Sequence, residues 1–249
     1  MKTYGLIGYP LSHSFSKGYF AEKFKKEGIA DCRYENFPIA DIAAFPTLFH
    51  QEEDLCGLNV TIPYKEVVIP FLDDLSDAAR NIGAVNCIRL EDGKKIGYNT
   101  DVIGFSNSLK PLLKAHHTHA LVLGTGGAAK AVMYALRELQ IPYTVVSRTA
   151  TADAIAYTSL DKKIMEQHTL LINTTPLGMF PNVDAHPPIP YEYIGSQHLL
   201  YDLVYNPPVT KFLALGEERG AAVKNGHEML ILQAEAAWAI WNGRETFQP

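Results

Sequence analysis

The chain has 249 residues, 47% of them hydrophobic, with 22 lysines and arginines against 27 acids for a net charge of −5. That length buries a full core as one large or two small domains, and scattered charge without a basic stripe excludes nucleic acid and anionic membrane as partners, leaving a small solute. Cys32, Cys56 and Cys87 form no C-x-x-C pair, residues 1–8 read as a strand and not a signal peptide, and no apolar run nears the roughly 18 residues of a membrane span; a soluble, cytoplasmic protein is expected.

In chain order, residues 3–8, 32–37, 57–62, 84–90 and 95–99 read as short strands, with helical patterns at 17–27, near 41–49 and at 64–72. Ser12, Ser14 and Ser16 alternate before the first helix; extended, they present hydroxyls on one face, suited to a carboxylate, while Ser16 equally reads as a helix N-cap. In the stretch Asn59 to Lys65, Leu58, Val60 and Ile62 face one side and Asn59 and Thr61 the other. Pro63 then opens a helix, so Lys65 falls in a first turn, where unpaired N–H groups disfavour a cation. Either Lys65 is a solvated turn residue or it has a chemical use.

Asp92-Gly93 between alternating runs predicts a two-residue hairpin in which Glu91 faces Lys94, Arg89 faces Ile96 and Asn86 faces Asn99. That register gathers Asn86, Asn99 and Asp101 on one face, within reach of a shared small ligand. Asp101 could also cap the helix expected from Val102. His116, His117 and His119 lie on a polar loop at 114–119 without a carboxylate or cysteine at ligand spacing, so solvated loop histidines and no metal are expected.

From Ala120 the pattern is a strict strand–helix alternation, with strands at 120–123, 143–146, 170–173, 198–203 and 221–223, the signature of a parallel sheet with crossover helices. Gly124-Thr125-Gly126-Gly127-Ala128-Ala129 stands between the first of these strands and a helix, the context that makes G-x-G-x-x-A a dinucleotide-binding loop. Gly124 permits the tight turn, Gly126 lets the backbone approach a pyrophosphate, and Ala129 keeps the helix close to the strand. The next strand ends in Ser147-Arg148-Thr149, with no acid for ribose hydroxyls; Arg148 suits a 2′-phosphate, which indicates NADP. Asn173-Thr174-Thr175-Pro176-Leu177-Gly178 and Tyr205-Asn206-Pro207-Pro208 follow later strands, where ligands of open parallel sheets lie, though both are also good turn sequences. The last helix, from Glu228, is more apolar than that sheet needs and is expected to return to the first domain.

Taken together, Gly8-Tyr9-Pro10 through Ser16, Asn59 to Lys65, Gly83 to Asn86, Asn99-Thr100-Asp101, the loop from Gly124, Asn173 to Gly178, Tyr201 to Pro207, and Asn225-Gly226 with Met229-Leu230 and Gln233 resemble the shikimate dehydrogenase family over nearly the whole chain. The resemblance implies two α/β domains: a mixed-sheet substrate domain over residues 1–101, joined by a returning helix at 226–249, and a Rossmann-like NADP domain over 102–225. It implies that Ser14 and Ser16 bind the substrate carboxylate, that Thr61, Asn86, Asp101 and Gln233 hold ring hydroxyls, and that Lys65 and Asp101 form the catalytic pair. Tyr205 would close over the substrate and Gly226 would lie near the nicotinamide. Shikimate and 3-dehydroshikimate are the implied substrates, in a monomer or homodimer. Two residues depart from the family pattern: Lys17 replaces a usual proline, and Ala152 stands where a second arginine often follows Arg148. A quinate/shikimate dehydrogenase and an NADP-responsive sensor on the same fold are the competing readings.

Overall fold

Alternation on the first strand, β1 (Lys2–Gly8), sends Tyr4 and Leu6 into one apolar cluster and Ile7 into another, so the sheet it belongs to is covered on both faces. The structure is a computed structural model that describes residues 1–11 and 14–244. Its described residues divide into two units, one comprising Met1–Thr100 with residues 234–244, the other Asp101–Gln233. Among the described residues, no helix is long and apolar enough to cross a membrane.

The first unit contains, after β1, helix α1 (Phe15–Glu27), β2 (Cys32–Pro38), a short α2 (Leu48–Gln51), β3 (Leu55–Val60), β4 (Asp74–Leu75), α3 (Asp77–Ile82), β5 (Cys87–Glu91) and β6 (Lys94–Tyr98). Its strands form one mixed sheet in the order β2-β1-β3-β5-β6-β4, antiparallel only where β5 meets β3 and β6. The hairpin has the expected register, with Glu91 opposite Lys94 and Arg89 opposite Ile96, and Asp92 and Gly93 both take positive φ, as a type I′ turn requires. On β3, Leu58 and Val60 enter one core while Asn59 bonds Tyr34 on the other side. Ile62, expected to continue the apolar face, lies past the strand's end and is 74% exposed.

The helix expected over residues 64–72 does not form. Val68 N donates to Tyr64 O at 3.0 Å, but the bonds that follow, Ile69 N to Glu66 O and Phe71 N to Val68 O, span three residues, and the segment ends as a 3-10 turn at Ile69–Phe71. Pro70 has no N–H for the Glu66 carbonyl and disfavours the helical region at Ile69, while Val67, Val68 and Ile69 are β-branched. Lys65 therefore sits in a turn, and the helix-dipole argument does not apply to it. Residues 41–49 likewise form a 3-10 segment, Ile42–Thr47, capped by the Asp41 carboxylate accepting from Ala43 N at 2.9 Å, before α2 begins.

The second unit runs α4 (Asp101–Leu109), β7 (Ala120–Leu123), α5 (Gly127–Glu138), β8 (Tyr143–Ser147), β9 (Ile155–Ala156), α6 (Lys162–Gln167), β10 (Leu170–Asn173), β11 (Leu199–Asp202), α7 (Lys211–Glu217), β12 (Ala222–Lys224) and the start of α8 (His227–Trp241). All of its strand pairings are parallel, and the order β9-β8-β7-β10-β11-β12 places the topological switch between β7 and β10. Counted within the unit this is the 3-2-1-4-5-6 order of a doubly wound dinucleotide fold. The later half of α8 belongs to the first unit: Ala234, Ala237, Ile240 and Trp241 pack with Tyr4, Phe20 and Phe24, and Trp241 Nε1 donates to Ile88 O at 3.0 Å.

Candidate active site

In the first unit, polar groups collect where strands β1, β3 and β5 end or begin. Thr61 N donates to Ile7 O at 2.9 Å, one step past β3, so Thr61 stands at the carboxyl end of a parallel pair. Lys65 is half-buried, and its carbonyl accepts from Val85 N at 2.7 Å, which ties the lysine's turn to the entry of β5. Asn86 is buried. Its Oδ1 accepts from Thr100 N at 2.6 Å and its Nδ2 donates to Thr100 Oγ1 at 3.0 Å, fixing the residue immediately before Asp101. Asn99 uses Nδ2 on Ala84 O at 3.0 Å, while its buried Oδ1 has no partner among the described residues.

Ser14 occupies the N-cap position of α1 with extended backbone, yet its hydroxyl makes no capping bond and is buried without a partner among the described residues. No acid lies in the first turn of this 13-residue helix. A helix start with an orphaned hydroxyl is a place where an anion is stabilised, by free N–H groups and by the hydroxyl's own proton. Ser16 is placed differently: it stands beside the buried Tyr34 phenol, whose O–H donates to Asn59 Oδ1 at 2.8 Å, and Asn59 Nδ2 donates to Asn86 O at 3.3 Å. Burial raises the Tyr34 phenol well above its ordinary range, so it stays a neutral donor. One buried chain of hydrogen bonds thus joins Tyr34, Asn59, Asn86 and Thr100, with Ser16 beside its first member. Ser12 and His13 lie outside the described residues.

In the second unit, Gly124 adopts φ 114°, and a Cβ there would lie 2.7 Å from Thr174 Oγ1, so the loops after β7 and β10 meet at the switch point. Thr174 is anchored by its N–H and its hydroxyl, both donating to Leu123 O, at 2.9 and 2.8 Å. Gly126 is the N-cap of α5, exposed, and has nothing within 4 Å of where a Cβ would stand. Thr125 is exposed, Gly127 and Ala128 are half-buried and Ala129 is fully buried, as the loop reading requires. No acid lies in the first turn of α5. This open cradle at a helix start fits a pyrophosphate. Ser147, Arg148 and Thr149 leave the end of β8, the strand beside β7; Ser147 Oγ bonds Thr149 O, and Arg148 is exposed.

Tyr205 follows β11 by three residues and is half-buried, which raises its phenol above the ordinary value. Gly226 N donates to Val204 O at 3.2 Å, and a Cβ at Gly226 would come within 2.1 Å of Leu203 O, so only glycine allows the chain to pass there. Gln233, nearly buried on α8, donates to Leu230 O at 2.8 Å. It packs close to Gly104 of α4, the helix that Asp101 opens. The histidines depart from expectation at one position: His117 is buried, with Nδ1 accepting from Lys114 N at 3.1 Å. No cluster of metal-ligating side chains occurs among the described residues.

The structure therefore brings Ser16 beside the network that holds Asn86 in the first unit, and Gly124 against Thr174 in the second. Lys65 and Asp101 stand in different units. Sequence reasoning missed Tyr34, Thr100 and Asp202, and gave Asn59 no role. For Asn59 the signal was present, an amide inside an apolar strand; Tyr34 needs the strand order, which alternation along one strand does not reveal.

A glycine loop at the switch point of a 3-2-1-4-5-6 sheet, in a chain whose other unit gathers buried polar strand ends, defines a dinucleotide-dependent enzyme of the two-unit α/β class. The family model for the shikimate dehydrogenase substrate binding domain matches residues 6–88. Shikimate dehydrogenase (NADP(+)) of Carboxydothermus hydrogenoformans is 37% identical, over 97% of this chain and 92% of the relative. That of Caldicellulosiruptor bescii is 35% identical over 97% and 89%. The crystal structure of shikimate 5-dehydrogenase from Thermus thermophilus in complex with NADP(H) and shikimate aligns with a TM-score of 0.87 at 32% identity, covering 98% of this chain and 94% of that one. The chain belongs to the shikimate dehydrogenase family.

Proposed function

We propose that this protein catalyses the reversible NADPH-dependent reduction of 3-dehydroshikimate to shikimate, the step that serves aromatic amino-acid biosynthesis. The observation that carries the reading is the pairing, in one chain of this family, of an open glycine cradle at the switch point with an unpartnered buried hydroxyl at the start of α1. In this reading Met1–Thr100 with the end of α8 is the substrate unit and Asp101–Gln233 the cofactor unit, and the enzyme works in the cytoplasm.

NADP would be held by Gly124 to Ala128 through backbone N–H groups, by Ser147, Arg148 and Thr149 at the 2′-phosphate, and by Thr174 and Gly226 toward the nicotinamide. When bound, NADPH supplies the hydride that reduces the ketone. Arg148 offers a planar fork of donors that distinguishes a phosphate from a hydroxyl. Ser14 and Ser16 bind the substrate carboxylate, Thr61, Asn86 and Gln233 hold ring hydroxyls, and Tyr205 covers the ring. Lys65 donates a proton to the oxygen on which negative charge grows, and Asp101 is its partner carboxylate. In the reverse direction Lys65 accepts that proton from the hydroxyl.

Ligand binding tests the reading without turnover. A ligand that binds only the folded state stabilises it by about 2.7 kcal/mol at a hundredfold excess over its Kd. Thermal unfolding should shift upward with NADP and again with shikimate. No shift with either would overturn the reading.

A further inference from the structure

Asp202, the last residue of β11, is fully buried, and the proposed chemistry makes no use of it. Its partners are all donors, from the end of β10, the loop after β11 and the cap of α7. Oδ1 accepts from Asn173 Nδ2 at 2.9 Å and from Val204 N at 3.0 Å, and Oδ2 accepts from Thr210 Oγ1 at 2.5 Å. Asn173 passes the connection on, its Oδ1 accepting from Thr175 N at 3.0 Å and Thr175 Oγ1 at 2.6 Å. Between those two residues stands Thr174, bonded to Leu123 and pressed against Gly124. On the other side Val204 accepts from Gly226 N at 3.2 Å and precedes Tyr205, and Thr210 caps α7 by accepting from Leu213 N at 3.4 Å.

One carboxylate thus reaches, directly or through one residue, the loops after β10 and β11 and the turn before α8. These are the loops at the carboxyl edge of the sheet, where a doubly wound fold binds its ligand. Burying a carboxylate is expensive, and for stability alone a well-packed apolar residue would serve as well or better. The cost has a use if the loops must hold one shape.

We propose that Asp202 is a positioning residue that locks the Thr174 and Tyr205 loops in the shape that receives NADP and shikimate. The inference rests on the functional reading above, and it is separable from it. Asp202→Ala strands the Asn173 amide, Val204 N and Thr210 together, whereas Asp202→Asn keeps an Oδ1 acceptor for Asn173 and Val204. The dissociation constant for NADP, from fluorescence titration, and KM for shikimate should both rise about tenfold or more in Asp202→Ala, each bond to a charged acceptor being worth that much. In Asp202→Asn most of both losses should be recovered, with kcat less affected than KM in each variant. Thr210→Val removes the Oδ2 donor, together with the cap on Leu213 N, while leaving both Oδ1 bonds in place, and is the deciding variant if Asp202→Ala does not fold; KM for shikimate should rise at least threefold. A lowered Tm with both constants within twofold of wild type, in Asp202→Ala or in that substitute, would make Asp202 a purely structural residue and overturn the proposal. Failure of the wild-type protein to bind NADP would instead remove the functional reading beneath it.

Discussion

Replacing Ser14 by alanine should make the protein weaker at binding and no less stable. A serine at an N-cap normally contributes about 1 kcal/mol through its bond to a first-turn N–H. Ser14 makes no such bond, and its hydroxyl is buried without a partner. Removing it relieves a desolvation penalty of about 1–3 kcal/mol, offset in part by lost packing. At this chain length each kcal/mol gained corresponds to about 2–4 °C, so Tm should hold or rise by a few degrees. Binding moves the other way: a hydrogen bond to a carboxylate is worth about 1.5–3 kcal/mol, so KM for shikimate should rise about tenfold to a hundredfold. Because the carboxylate is bound equally in ground and transition states, kcat should change little. Ser16→Ala is the contrasting case. It removes a hydroxyl that stands beside the buried Tyr34 phenol and should lower Tm by a few degrees as well as raise KM. Thermal unfolding and steady-state kinetics on both variants decide the matter: a destabilised Ser14→Ala with unchanged KM would return Ser14 to a capping role and refute the argument.

Lys65→Ala should lower kcat by about 10²–10⁴-fold, the usual worth of a positioned acid or base, while NADP still binds. If Lys65 and Asp101 act as one unit, a Lys65→Ala, Asp101→Asn double variant should lose little more than the worse single one, whereas losses that simply multiply would separate them. Arg148→Ala should weaken NADP about tenfold to a hundredfold and leave NAD nearly untouched; equal losses would show that Arg148 does not read the phosphate. Burial pushes the Asp202 carboxyl from 3.8 up to about 6, so the folded state holds this proton more tightly than the unfolded one. Its contribution, about 3 kcal/mol, is complete below about pH 4 and is lost as pH rises through 6. Denaturant titrations should therefore find Asp202→Asn gaining on wild type across that window and levelling above it, and a difference independent of pH would contradict the assignment. Burial lowers His168, so its contribution has the opposite sign, present above its unfolded value of 6.5 and lost as pH falls. It is common to both proteins and cancels in the comparison.

Where local chemistry decides structure, the chain was legible. Asp92-Gly93 fixed the β5–β6 register, and the glycine loop fixed the junction of β7 and α5. Legibility failed where two local signals competed. Pro63 reads as a helix start, but Pro70 breaks the ladder that would follow, and residues 64–72 became turns. The short α3 was overlooked although Ser76 caps it through Ala79 N and Gly83 ends it in the left-handed region. Site residues divide the same way. Ser14, Asn86 and Gly226 sit in recognisable segments, whereas Tyr34 and Asp202 each bond a partner on another strand 25 or more residues away, Asn59 and Asn173, and those bonds become visible only once strand order is known. Asn86 shows a further limit: it was expected to face a ligand, and the bonds its amide makes are to Thr100.

The most direct test is the absorbance of the reduced nicotinamide on mixing the protein with shikimate or quinate, each with NADP or NAD. Rapid reduction of NADP with shikimate, slower reduction of NAD and little turnover of quinate are expected. Quinate turned over as well as shikimate would move the protein to the quinate/shikimate branch. Binding of NADP without reduction, on either substrate, would contradict the central claim and leave a sensor on an enzyme's fold.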